Sequence, residues 1–207
     1  YFTTEYSFQS TALFNPSIVA HPDQTNLTEG AIRFIMSLRA TGEGHVSCAV
    51  FRTGVIRADG NVSIDEAPKL TARTRLAPDH AFHKDIFRRK LEEMSVNLHT
   101  ASHLMDRLPD SFTFVELEHV VEGAQESGRN DSHFDDVVES MLWLARSNYQ
   151  LRLSPGADIP HLVIFPQTDN ESRGIEDVRL VRFVDDDGGV TYYGTYTAYN
   201  GIRTLPM

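Results

Sequence analysis

The segments "IRFIMSLRA", residues 32–40, and "HVSCAVFRTGVI", residues 45–56, flank the glycine-bearing turn "TGEG". Both runs are rich in β-branched and aromatic residues, and "ADGN", residues 58–61, breaks the pattern again with turn chemistry. From Tyr1 to about Arg75 the chain therefore reads as short consecutive strands. After Gln150 the same signals return in "LVIFP", "VRLVRF" and "VTYYGTYTAY", the last two joined by the turn "DDDGG".

Between about Asp79 and Gln150 the hydrophobic period lengthens from two to that of a helix. Phe82, Ile86, Lys90 or Leu91 and Met94 share one helical face, and Leu98, Ala101, Met105 and Leu108 the next. A third helix is expected from the capping-box spacing Thr113-x-x-Glu116 through Leu117, Val120 and Val121 to Gly123. A fourth is expected from near Ser132, carrying Phe134, Val137, Val138, Met141, Leu142 and Ala145, with Trp143 packed among its neighbours. Strands, then helices, then strands imply a mainly β architecture with a helical insertion at about 79–150, not alternating βαβ units. No glycine-rich phosphate loop follows any strand, since "GEGH" lacks the required spacing.

The 207 residues are 41% hydrophobic and 23% charged, enough to bury a core. A net charge of −10 argues against a sequence-independent grip on nucleic acid, which needs clustered cations. Cys48 is the only cysteine, so there is no intrachain disulfide and no multi-cysteine zinc site. Asn-x-Ser/Thr tripeptides at Asn26, Asn61, Asn130 and Asn170 are read as chance occurrences. No run approaches the ~20 apolar residues of a membrane span, and no signal peptide is apparent, so the expected compartment is the cytoplasm with no membrane partner. The first residue is Tyr1, not Met, and the chain is read as a piece of a longer one.

Three polar clusters interrupt the strands: "FNPS" with Asn15, "SLRATGEGH" with Arg39, Glu43 and His45, and "GIEDVR" with Glu176, Asp177 and Arg179. Strands disfavour Asp, and a buried carboxylate costs several kcal/mol unless paired or hydrogen-bonded, so the acidic pair at 176–177 requires a reason. With "YYGTYTAYNG" these motifs, in this order, resemble the inverting β-mannoside phosphorylases and hydrolases of glycoside hydrolase family 130. The resemblance covers residues 1–60 and 150–207; the helical block resembles an insertion found in a longer subgroup.

The resemblance implies part of a five-bladed β-propeller, whose funnel binds a β-mannoside oligosaccharide. At roughly 40–45 residues per blade, residues 1–74 and 151–207 amount to about three blades. It further implies Asp177 as general acid, acting through a sugar hydroxyl, with Asn15 and Arg39 on the mannosyl unit and Glu176, Arg179 and Asn200 as further substrate contacts. Inversion needs an acid for the leaving oxygen and a nucleophile from the opposite face of the sugar. In a phosphorylase that nucleophile is inorganic phosphate as co-substrate; in a hydrolase a carboxylate activates water. Phosphorolysis is the favoured expectation, with hydrolysis and a non-catalytic carbohydrate-binding role as alternatives. The sequence departs from the commoner pattern at Val178, where Pro is frequent, and at Asn200, where Asp is frequent.

Each candidate has a plainer reading. Asp177 could be a turn acid paired with Arg179, Glu176 could merely orient Arg179, Arg39 could bridge strands, and Asn15 could form an Asx turn before Pro16. His45 and Arg52 are read as exposed. His99 and His103 stand four apart on a helix, a spacing that can bind metal, but no general-base Glu lies between them and a solvated face is expected. No metal or organic cofactor is expected. An apolar face on the helical block leaves room for a homo-oligomer.

Overall fold

A computed structural model describes Ser7, Gln9 and residues 11–68, 71–72, 74–77, 80–127 and 133–207. The Glu43 side chain, Asp79, the expected helix start near Ser132 and the tripeptide at Asn130 lie outside the described residues. The chain divides into two compact units, Tyr1–Thr74 with Leu153–Met207, and Arg75–Arg152.

In the first unit, β1 (Ala12–Ala20), β2 (Ile32–Thr41) and β3 (Ser47–Ile56) form an antiparallel meander, extended at the β3 edge by the short β4 (Val62–Ile64). Period-two alternation sorts their side chains onto two faces. Leu38, Ala40, Cys48 and Val50 point one way and pack with Val163. Ile35, Ala49 and Phe51 point the other way and pack with Ile175, Val178, Leu180 and Tyr196. Burial pushes the Cys48 thiol up to about 12. The strand β9 (Val163–Ile164) joins β3. The long hairpin β10 (Gly174–Val184) and β11 (Val190–Tyr199) is followed by β12 (Thr204–Pro206), paired with β11.

These strands do not form propeller blades. Blades are separate sheets, whereas here β1, β2, β3, β10, β11 and β12 are hydrogen-bonded in succession into one curled sheet, eight-stranded among the described residues with β4 and β9 attached to β3. The physical reason is local. β10 meets β3 in parallel at Gly174↔Ser47, and a Cβ on Gly174 would lie 2.9 Å from Ser47 Cβ and 3.2 Å from Ser47 N. Glycine allows the two backbones to approach and fuses regions that the resemblance places in separate blades.

The second unit is built on the antiparallel pair β6 (Ala81–His83) and β7 (Ser111–Thr113) with helices α1 (Lys84–Glu93), α2 (Leu98–Met105), α3 (Phe114–Glu126) and α4 (Phe134–Ser147). The short strands β5 (Thr74–Leu76) and β8 (Leu151–Leu153) lie where the chain passes between units. The capping box at Thr113 and Glu116 forms in both directions, and α3 continues past Gly123 to Glu126. Phe82, Phe87 and Phe112 meet at centroid distances of 5.2 to 5.6 Å over Leu91, Met105, Leu117 and Met141. Each fully buried side chain of this size contributes about 1.5–3 kcal/mol.

Two expectations are corrected here. The α1 core face is Phe87 and Leu91, while Ile86 and Met94 are exposed. The apolar spacing is satisfied by either face, and β6 carries Phe82 in an extended conformation that sets the helix phase one residue later. Trp143 is 39% exposed because α4 turns Leu144 inward instead. No helix among the described residues is long and apolar enough to cross a membrane.

Candidate functional site

Two β-bulges build the site, both in the first unit. On β1 the register with β2 shifts between Phe14 and Ser17, so three steps on β1 span two on β2, from Arg39 to Ser37. On β10 the register with β11 shifts in the same way between Glu176 and Arg179, opposite Thr197 to Thr195. The residues occupying these bulges are Asn15, with φ 52°, and Asp177, with φ 55°. Left-handed backbone is uncommon outside glycine, and Asn and Asp tolerate it best among the other residues. Bulges re-aim side chains, and strained backbone persists only where the surroundings enforce it.

Here the two re-aimed side chains meet. Asn15 Nδ2 donates to Asp177 Oδ1 at 2.6 Å across 162 residues of sequence. Arg39 joins them, with Nη1 3.8 Å from Asp177 Oδ1 and Nη2 2.5 Å from Glu176 Oε1. The guanidinium is held in place by its surroundings. Nε donates to Ser47 Oγ at 2.9 Å, Ser47 Oγ lies 3.3 Å from Thr41 Oγ1, and Cζ lies 5.0 Å over the Phe14 ring. Planar donor geometry and stacking of this kind are what arginine supplies and lysine does not. Gly174 is two residues before Glu176 on the same side of β10, so its contact with Ser47 delivers Glu176 to Arg39.

Exposure separates the roles. The side chains of Arg39 and Glu176 are 22% and 19% exposed, whereas Asp177 is 36% exposed. Glu176 is thus engaged in the ion pair, and Asp177 is the more exposed of the two carboxylates. The cluster offers one cation, two carboxylates and one amide, half-buried, a donor and acceptor set suited to hydroxyl groups.

Asn15, Arg39, Glu176 and Asp177 are therefore brought together. Arg179 is not paired with Asp177; it is exposed, and its Nη1 donates to Pro16 O at 3.0 Å, clamping one bulge to the other. Asn200 makes no hydrogen bond to the cluster. Its Oδ1 accepts from the backbone N–H groups of Ile202 and Arg203 at 3.0 and 2.8 Å, forming the turn after β11. His45 is exposed, in a short turn after β2. Arg52 is corrected from exposed to buried: it lies on the sheet face opposite Arg39, paired with Met36, and donates to Phe51 O and Gln9 Oε1. Burial lowers its pKa, disfavouring the charged form.

Sequence reasoning missed several supporting residues. Ser37, 1% exposed, donates to Val178 O at 2.7 Å, and Ser17 Oγ accepts from Leu180 N at 3.0 Å. Glu171, also 1% exposed, accepts from Tyr196 Oη at 2.6 Å and from the N–H groups of Gln167 and Thr168. The available signal was parity: Ser37 and Arg39 are two apart on one strand, so they share a face. His99 and His103 are exposed with rings edge to face at 4.9 Å, and no group of three metal-ligating side chains gathers among the described residues. Comparison with models of known protein families, with curated proteins and with solved structures yields no match.

Proposed function

We propose that the chain is a carbohydrate-active enzyme of the kind found in glycoside hydrolase family 130, cleaving β-mannosidic linkages with inversion and passing the mannosyl unit to inorganic phosphate. The observation that carries this reading is the convergence of Asn15, Arg39 and Asp177 at two facing bulges. In the proposed step a phosphate oxygen attacks the anomeric carbon, the glycosidic C–O bond breaks, and the leaving oxygen receives a proton derived from Asp177. The products are an α-mannosyl phosphate and the acceptor sugar with a free hydroxyl. Asn15 and Arg39 hold the mannosyl hydroxyls, Glu176 keeps Arg39 oriented, and Arg179 fixes the bulge pair.

Glu176 is engaged by Arg39, so in the hydrolytic alternative the second carboxylate that activates water, roughly 6.5–9.5 Å from the acid in an inverting enzyme, is not Glu176. The role of Asn200 is reduced to its Nδ2 donor, since Oδ1 is engaged in its own turn. A cytoplasmic location, where phosphate is abundant, belongs to the same proposal. The test is incubation with a β-mannobioside, with and without phosphate, following products by NMR. Phosphate-dependent appearance of α-mannosyl phosphate supports the reading; free mannose at equal rates in both samples assigns a hydrolase, and no cleavage of any β-mannoside removes the reading.

A further inference from the structure

We propose that Ser37 is a positioning residue, which with Ser17 sets the direction of the Asp177 carboxylate. The inference rests on the mannoside-cleaving reading above. Ser17 and Ser37 are the first directly opposed pair after the Asn15 bulge. Both also reach across to β10, where Ser37 Oγ donates to Val178 O and Ser17 Oγ accepts from Leu180 N.

Val178 lies with Asp177 inside the bulge, where one extra residue has broken the ladder to β11, and Leu180 is the second residue back in register, opposite Gly194. A bulge leaves a residue unpaired on its own sheet, so its backbone groups need other partners. The Ser37 hydroxyl supplies one for Val178 O, and Ser17 Oγ ties the strand just past the bulge through Leu180 N. The same serine pair thereby fixes both bulges relative to each other, and so fixes Asn15 Nδ2 against Asp177 Oδ1. Ser37 is 1% exposed and out of reach of a ligand, so its influence runs through Asp177. A hydroxyl at this point is not required for packing, because alanine would fill a similar volume opposite Phe51 and against Val178.

The experiment compares wild type, Ser37→Ala, Ser17→Ala and Ile35→Val. The last trims the same core cluster without touching a hydrogen bond. Two readouts are taken: kcat and KM on a β-mannobioside with phosphate, and the side-chain amide NMR signal of Asn15, identified by its loss in Asn15→Ser. Ser37→Ala is expected to lower kcat by about 10–100-fold, the scale of a sub-ångström to ångström misplacement. KM should stay within about twofold, and the Asn15 amide proton should move toward its free position. Ser17→Ala, at a half-exposed site, should move both readouts the same way even if Ser37→Ala does not fold. Unchanged kcat in the serine variants overturns the inference, as does an equal fall in Ile35→Val, which would mean general loosening. If wild type cleaves no mannoside, the functional reading fails by itself, and the amide signal alone then decides whether the serines position Asp177.

Discussion

Replacing Arg39 with alanine removes a charged hydrogen bond to Glu176, a bond to Ser47, attraction to Asp177 and stacking on Phe14. An exposed ion pair contributes about 0.2–1 kcal/mol and a charged hydrogen bond about 1.5–3. Arg39 and Glu176 are about four-fifths buried by side chain, so the upper range applies with some solvent screening, and Glu176 is left without its cation. The expected loss is about 2–3 kcal/mol, including roughly 0.5–1 from the Phe14 ring. Glu176→Gln removes the stranded charge, so Arg39→Ala in that background should cost about 1–2 kcal/mol less, the signature of direct coupling. Because the chain has two units, the assay must report on the right one. Cys48 serves: it is buried in the first unit and its thiol is pushed up to about 12, so labelling is expected only when the sheet opens. Pulsed thiol labelling across a urea series gives stability there, while Trp143 fluorescence follows the second unit and should not move. A loss under about 0.5 kcal/mol, or strict additivity with Glu176→Gln, would refute the claim that this pair organises the site.

Gly174→Ala should destabilise the first unit by about 2–4 kcal/mol, since the new Cβ meets Ser47 backbone and side chain at 2.9–3.2 Å and neither can withdraw without opening the β3–β10 junction; the same Cys48 labelling checks it. In the second unit, Thr113→Ala removes the cap of α3 and should cost about 1 kcal/mol by Trp143 fluorescence. Backbone and side-chain hydrogen bonds from Thr113 hold the Glu116 carboxyl below its usual range. A depressed folded pKa gives stability that is present above the unfolded carboxylate pKa and fades as pH falls through the folded one. Amide-exchange protection of Thr113 should therefore be full at neutral pH and fall on acidification through the carboxylate range, and Glu116→Gln should abolish that dependence.

Local patterns were legible in the sequence to the extent that one strand or helix could satisfy them alone. The β-rich runs of β2 and β3 and the Thr113–Glu116 box depend on neighbours within a few residues, and both formed as expected. The phase of α1 was not legible, because Ile86 with Met94 and Phe87 with Leu91 fit a helical spacing equally well and only packing against Phe82 and Phe112 selects one. The sheet was not legible either: the blade reading failed at Gly174↔Ser47, a contact between residues 127 apart that no periodicity announces. Of the candidate residues, Asn15, Arg39, Glu176 and Asp177 were singled out as chemically odd for their strands, and the bulges explain that oddness. Ser17 and Ser37 are unremarkable strand residues whose importance comes only from what lies across from them.

In the proposed function the bulge at Asp177 presents a general acid. Asp177→Asn keeps the side-chain size and an oxygen facing Asn15 but removes the transferable proton. Turnover of a β-mannobioside with phosphate should fall by about 10²–10⁴-fold with KM little changed, and a substrate with a good leaving group should recover part of the loss. Wild-type turnover in Asp177→Asn on the natural-type mannoside would contradict the account and leave the Asn15–Arg39–Asp177 cluster as a structural junction.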